Sequence, residues 1–326
     1  MLTTESATVN PSAAVRRRIE ALAVTAILRG LGVLPHRWAR GLGVAAAGIL
    51  ALALPRLRRV GLENLALAFP DLSARARRRL WWGCVANLGR LLGEFSQFPK
   101  LHAGNIAELV EYEGFEYFEA ARAQGRGVIF FTGHLGAWEL SAYAHALYGH
   151  PLTILVRPID NPLVDALVTR YRTGSGNRLL SKHRELRALV AALRRGETVG
   201  ILADVHVQPQ HGVFCEFFGR PASTSPLVAR LARRTGAAVV LGYLVWDAAR
   251  KRHRLIFEPP PALVRTADED FDVRENTARL TRRWEAIVRR HPDQWLWIHR
   301  RWKSQPAAVM SPAVADDATL MTLGND

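Results

Sequence analysis

From Gly114 onward, short apolar runs alternate with stretches in which apolar residues recur at helical spacing. The runs at 127–132, 152–156, 198–203, 213–217, 238–246 and 254–257 are rich in Val, Ile, Leu and Phe, as buried strands are. Between them the period lengthens to that of helices at 136–147, 162–172, 185–194, 226–234 and 273–290. Strands and helices in alternation predict an α/β domain with a central, mainly parallel sheet flanked by helices. No internal repeat is visible.

Upstream the pattern is helical throughout. Residues 73–98 read as a helix, rich in arginine at first and apolar later. Two apolar stretches precede it, 21–34, interrupted by Arg29, and 41–54. Arg16, Arg17 and Arg18 lead into the first; Arg37 and Arg40 precede the second, and Arg56, Arg58 and Arg59 follow it. Fourteen residues make roughly 21 Å of helix, short of the roughly 30 Å of a bilayer's hydrocarbon core. Arginine on both flanks gives no orientation signal. The expectation is a helix in the membrane interface, its apolar face inward and its arginines at the headgroups. A buried helical hairpin and a tilted single span are the alternatives.

The chain has 326 residues, 44 Lys and Arg against 29 Asp and Glu, and a formal net charge of +15. That excess favours nucleic acid, anionic lipid or a phosphorylated substrate. No helix-turn-helix, RNA-recognition or zinc-finger pattern is present, so nucleic acid is not expected. Cys84 and Cys215 make no CxxC pair and no disulfide framework, which suits a reducing compartment. The polar first dozen residues lack a basic region leading into an apolar core, so a cleaved signal peptide is not expected. Residues 1–13 and 304–326, rich in Ala, Ser, Thr and Asp, read as disordered tails.

The candidate chemistry sits in FFTGHLGAWEL, residues 130–140. His134 follows a buried strand and precedes a helix, at the edge where α/β sheets place their ligands. Gly133 and Gly136 allow close approach to the backbone, and amides at the helix start are placed to receive negative charge. Glu139 lies five residues on, about 140° around a regular helix. The two meet only if His134 is in the turn and Glu139 points back at it. A carboxylate there fixes the imidazole tautomer and stabilises the imidazolium, as a general base for a hydroxyl requires. Taken alone, the H-x4-E spacing also fits the start of an ordinary surface helix.

Other chemistries lack their residues. There is no G-x-S-x-G, and neither cysteine has a histidine beside it in sequence, so direct transfer is favoured over an acyl-enzyme. HExxH and phosphate-cradling glycine loops are absent, no metal or cofactor is expected, and His145 and His150 read as incidental.

HLGAWEL is followed by LVRPIDNPLVDALVTRYRTGSGN, by ILADVHVQPQHGVFCEFFGRPASTSPLVARLARRTGAAVV and by HPDQWLWIHRRWK. With LPHRWARGLG and LENLALAFPDLSARARRRL upstream, this ordered set resembles the late acyltransferases of lipid A biosynthesis, the lauroyl/myristoyl transferase family. That family is related to the phosphatidylinositol mannoside acyltransferases within the lysophospholipid acyltransferase superfamily. The resemblance covers about residues 20–303. It implies a glycerol-phosphate-acyltransferase-like fold, with a membrane-anchoring segment over 14–72 and a catalytic domain over 73–303. It also implies a thioester-dependent O-acyltransferase at the cytoplasmic face of the inner membrane. The donor is acyl carrier protein or coenzyme A, and the acceptor is a hydroxyl of an anionic lipid, a lipid A precursor ahead of a lysophospholipid or glycosylated lipid.

By that resemblance His134 and Glu139 are the catalytic dyad. Arg172 is the basic residue of the second block, with Arg157 and Arg170 near it, and Asp204 is the acid that ends a strand. Many relatives carry a second acid two residues later, where this chain has His206. Arginine suits a phosphorylated acceptor because its fork binds phosphate bidentately. FFGRPAST, 217–224, offers either an aromatic wall for an acyl chain, with a glycine turn before a helix, or plain core. The Trp and cation mixture at 291–303 suits either a membrane interface or an amphipathic closing element with buried tryptophans.

Overall fold

A computed structural model describes residues 11–181 and 186–306. The expected tails, 1–13 and 304–326, fall mostly outside the described residues; of them, residues 11–13 open the first helix and 304–306 continue the last loop. Four helices come first: α1 (Pro11–Gly32), α2 (His36–Ala53), α3 (Pro55–Ala68) and α4 (Ala74–Ser96). Ser73 caps α4, accepting a hydrogen bond from the Ala76 amide at 3.2 Å.

The chain then alternates through β1 (Val110–Glu113), α5 (Phe115–Ala123), β2 (Val128–Thr132), α6 (Trp138–Leu147), β3 (Leu152–Val156), α7 (Pro162–Thr173), β4 (Arg178–Ser181), α8 (Leu186–Arg194) and β5 (Thr198–Leu202). A hairpin follows, β6 (Val213–Phe217) and β7 (Arg220–Thr224), then α9 (Leu227–Thr235), β8 (Ala238–Asp247), β9 (Arg252–Phe257) and α10 (Glu269–Arg290).

Seven strands form one sheet in the order β1-β9-β8-β2-β5-β3-β4. Strands β8, β2, β5, β3 and β4 are mutually parallel, while β9 runs antiparallel to β8 and β1 follows β9 in parallel. The mainly parallel sheet flanked by helices is therefore present. Strand 213–217, expected from its apolar pattern, does not join it. Its partner is β7, in a separate antiparallel hairpin, so the glycine turn in FFGRPAST leads into a strand rather than a helix.

Residues alternate between two cores along β2. Ile129 and Phe131 face one that also holds Trp284 of α10, while Val128 and Phe130 face another with Phe118 and Leu140 of α5 and α6. Parallel strands covered on both faces carry such unbroken apolar runs.

The N-terminal helices pack on this body. Gly43 of α2 lies against the backbone at Gly89 of α4, and Gly93 against Ala39 and Arg40, so that a Cβ at any of these glycines would collide with the facing helix. An ionic cluster fastens the same pair. Glu94 of α4 is fully buried; its Oε1 accepts from His253 Nε2 at 2.8 Å, its other oxygen pairs with His36, and Arg40 lies 3.7 Å away. The outer side of the layer stays apolar and exposed at Leu22, Ile49, Leu50 and Leu52. No single described helix is long and apolar enough to cross a membrane; α2 and α3 would qualify together but are bent by 94°.

Candidate active site

Strands β2 and β5 are adjacent and parallel, so the residues after their carboxyl ends emerge side by side. The Ala203 amide donates to Thr132 O at 3.0 Å, extending the pairing one step beyond the strands. His134 follows β2 and Asp204 follows β5, at the edge where the chain order across the sheet reverses.

The carboxylate on the imidazole is Asp204. Its Oδ1 lies 2.8 Å from His134 Nδ1, and its Oδ2 accepts the His134 amide at 2.7 Å and the Trp295 indole at 2.8 Å. Such a carboxylate accepts from an Nδ1–H, which leaves Nε2 as the ring's lone-pair nitrogen. Glu139, expected to point back at the imidazole, instead holds Arg172 bidentately, Nε at 2.8 Å and Nη2 at 2.6 Å. The reason is angular. Glu139 sits in the first turn of α6 and turns toward α7, whereas Asp204 approaches along the sheet edge. No sequence spacing reports that approach, because 70 residues separate Asp204 from His134.

Burial opposes the imidazolium at His134, but the charge and hydrogen bond of Asp204, helped by Glu139, outweigh it and raise the ring's pKa above its usual 6.5. Asp204 is buried as well, which alone would raise its pKa. The His134 charge and ring hydrogen bond, with the Trp295 indole and the His134 amide, hold it below the ordinary 3.8 instead.

Both glycines have steric reasons to be glycine. Gly136 adopts φ +60°, and a Cβ there would run into Leu244 O. A Cβ on Gly133 would press on the Asp204 carboxyl and the Trp284 ring. The first turn of α6 has no side-chain cap, but the amides of the turn before it are engaged. Those of Leu135, Gly136 and Ala137 donate to Gly133 O, Gln294 O and Leu244 O at 2.9, 2.9 and 3.0 Å.

A cleft of about 440 Å³ opens over this pair, lined by His134, Trp138, Glu139, Tyr143, Arg157, Arg172, His206, His299 and the apolar Ile154, Leu155, Val156, Leu202 and Val207. Arg157 is at its exposed rim, 3.6 Å from Asp160. Arg170 lies exposed on α7 and is not among the lining residues. Arg172 is partly buried within the cleft.

The structure chooses between the alternatives left open for two other stretches. Trp295, Trp297 and Trp302 are buried, and their segment is a run of turns rather than a strand or helix. Phe217 and Phe218 are buried against Trp297, Trp302 and each other, and neither lines the cleft. The arginine of the same C-terminal block, Arg301, is 1% exposed and donates to Ser223 O at 2.7 Å and to Thr224 Oγ1 at 2.5 Å. His145 is buried beside Tyr112, whose hydroxyl lies 2.6 Å from its Nδ1.

His299 and the role of Trp295 had no sequence signal beyond membership of the last block. Trp295 reaches His134 through Asp204, and the Leu296 amide of the same segment donates to His134 O at 3.0 Å.

Known proteins resemble the chain along nearly its whole length. It is 29% identical to the lipid A biosynthesis lauroyltransferase of Escherichia coli K12, covering 86% of this chain and 92% of that protein. The palmitoleoyltransferase of the same organism is 29% identical over 80% and 84% of the two chains. Its myristoyltransferase is 26% identical over 85% and 91%. The family model described as bacterial lipid A biosynthesis acyltransferase matches residues 8–304, and the chain belongs to that family of acyltransferases.

Proposed function

We propose that the chain moves a fatty acyl group from a thioester of acyl carrier protein or coenzyme A directly to a hydroxyl of a lipid A precursor, at the cytoplasmic face of the inner membrane. The observation that carries this reading is the imidazole of His134, fixed by Asp204 as the Nδ1–H tautomer at the floor of a partly apolar cleft with a cation inside it.

In this mechanism His134 Nε2 takes the proton of the acceptor hydroxyl as its oxygen attacks the thioester carbonyl carbon. The C=O pair moves onto oxygen, giving a tetrahedral oxyanion. On collapse the C–S bond breaks, and the thiolate receives the proton from the imidazolium. A positioned base of this kind contributes roughly 100- to 10,000-fold. Glu139 acts beside the ring, adding negative potential and holding the Arg172 guanidinium in place. Two guanidinium nitrogens face Glu139, which leaves Nη1 for a phosphate of the acceptor, with Arg157 at the rim and Arg170 outside it. The apolar Ile154, Leu155 and Val156 suit an acyl chain.

Membrane association is assigned to the exposed apolar face of α1 and α2, flanked by arginines. The relatives named above acylate with different chains, by their names, and support the acceptor class without fixing the chain length.

The test is purified enzyme with an acyl thioester and a phosphorylated lipid A precursor, read by mass spectrometry. A mass gain of one acyl group, abolished by His134→Ala in a folded variant, is expected. Unchanged transfer by His134→Ala removes the base from the mechanism, and acylation of a lysophospholipid instead replaces the acceptor.

A further inference from the structure

The transfer reaction proposed above needs a donor for its oxyanion, and the loop amides are already engaged. Those of residues 134 to 137 all donate to protein acceptors: Asp204 Oδ2 and the carbonyls of Gly133, Gln294 and Leu244. The Asn177 side chain, which also lines the cleft, donates to Ala142 O at 3.0 Å and to Ser175 Oγ at 3.2 Å. Three neutral rings in the cleft have a nitrogen that makes no hydrogen bond to protein among the described residues: the Trp138 indole, His299, and His206, whose Nε2 lies 3.0 Å from the Ser304 hydroxyl, a group that donates or accepts and so does not fix that ring's tautomer.

The tautomer of His299 is dictated by its neighbour. The His206 backbone N–H donates to His299 Nε2 at 2.9 Å. A backbone amide only donates, so Nε2 is the lone-pair nitrogen and the ring proton is on Nδ1. Burial depresses the pKa of this ring to about 4, Asp204 opposing. It is therefore neutral at pH 7, an N–H donor rather than a competing base.

The position of His299 is registered to that of His134. Asn64 donates to the carbonyls of Trp297 and His299, both at 2.7 Å, and the Leu296 amide binds His134 O at 3.0 Å. Trp138 lacks such a tether; its ring packs edge-on to the imidazole, centroids 5.2 Å apart. Preorganised donors are the effective ones at a developing oxyanion, because they need not reorient as charge appears.

We infer that His299, held as the Nδ1–H tautomer by the His206 amide, is a catalytic residue that donates to the oxyanion of the tetrahedral intermediate. The carbonyl oxygen gains the C=O electron pair while Nδ1–H stays bonded to nitrogen. When the C=O reforms and the C–S bond breaks, the donor is unchanged. His299 thus supplies a hydrogen bond and no proton, and proton traffic stays on His134.

Two measurements on full-length enzyme test this. In wild type, ¹⁵N chemical shifts of His299 at neutral pH are expected to report the Nδ1–H tautomer; the Nε2–H tautomer overturns the inference without any variant. In turnover, His299→Ala is expected to lower kcat roughly 100- to 1,000-fold. KM for donor and acceptor should stay within about threefold, because the contact forms only in the transition state. His299→Asn, which keeps an amide N–H near the Nδ1 position, is expected to recover about tenfold or more of that loss.

A raised KM with unchanged kcat in His299→Ala overturns the assignment, as does a large kcat loss in Trp138→Phe with none in His299→Ala. His134→Ala in the same assay separates the two levels. If it retains turnover, the base mechanism itself falls. If it is inactive while His299→Ala is normal, the donor assignment alone falls.

Discussion

Asp204 grips His134 at two points, its Oδ1 2.8 Å from the imidazole Nδ1 and its Oδ2 2.7 Å from the backbone amide of the same residue. One carboxylate thereby fixes both the tautomer of the ring and the place of its peptide. The arrangement puts an acid behind the proposed general base, assembled from the ends of two neighbouring strands.

Asp204→Asn is expected to lower kcat by roughly three to four orders of magnitude, because an amide in that place no longer favours the Nδ1–H tautomer. The pH profile supplies the second readout. His134 must be neutral to accept a proton, and its pKa lies above the usual 6.5. Activity should therefore be lost as pH falls through an inflection above 6.5, and the aspartate's removal should move that inflection down. A wild-type inflection below 6.5 would contradict the assigned electrostatics.

Arg172→Ala is expected to raise KM for a phosphorylated acceptor about tenfold or more, the loss of a charge-assisted contact of roughly 1.5–3 kcal/mol. Arg172→Lys should recover only part of it, since a single ammonium cannot grip Glu139 bidentately. Steady-state kinetics against acceptor concentration decides. A fall in kcat alone would assign this guanidinium to the chemical step instead.

Glu94 does not line the cleft, and its cluster is expected to govern stability rather than chemistry. Burial would raise this carboxyl, yet hydrogen bonds from His253 and His36 hold it at about 2, against an ordinary 4.5. A depressed carboxylate contributes stability fully present above its unfolded value and lost as pH falls through its folded one. The unfolding free energy should therefore decline from about pH 4.5 towards 2, and Glu94→Gln should flatten that limb. Glu94→Ala should cost roughly 3–5 kcal/mol by leaving two imidazoles without their buried partner. Denaturant unfolding at stepped pH checks both.

Ile49→Glu with Leu52→Glu is expected to release the protein from anionic vesicles while leaving its unfolding midpoint unchanged, because both side chains are more than half exposed. Each insertion of such a residue is worth roughly 1.5–3 kcal/mol, so the pair should weaken vesicle binding at least about a hundredfold. Flotation with the vesicles measures it. Undiminished binding would show that the exposed apolar face is not the contact.

The fold was largely legible because apolar period depends on local geometry. The strands expected at 152–156 and 213–217 coincide with β3 and β6, and the helix expected at 162–172 runs one residue further as α7. The short strands β1, β4 and β7 were not, since four or five residues of mixed polarity such as VEYE, RLLS and RPAST carry no clear period. The sequence also placed the histidine between strand and helix and flanked it with glycines whose missing side chains the packing requires.

Which partner each charged group meets was decided by the tertiary structure alone. H-x4-E is a statement about one turn of chain, and within it Glu139 faces Arg172 across to α7. The acid on the imidazole comes from β5, which the topology inserts between β3 and β2 after two further strands have been laid down. The C-terminal turns also meet the site, with Trp295 on Asp204. Local sequence pattern sets period and polarity; the facing of side chains 70 or 91 residues apart depends on how strands order themselves in the sheet.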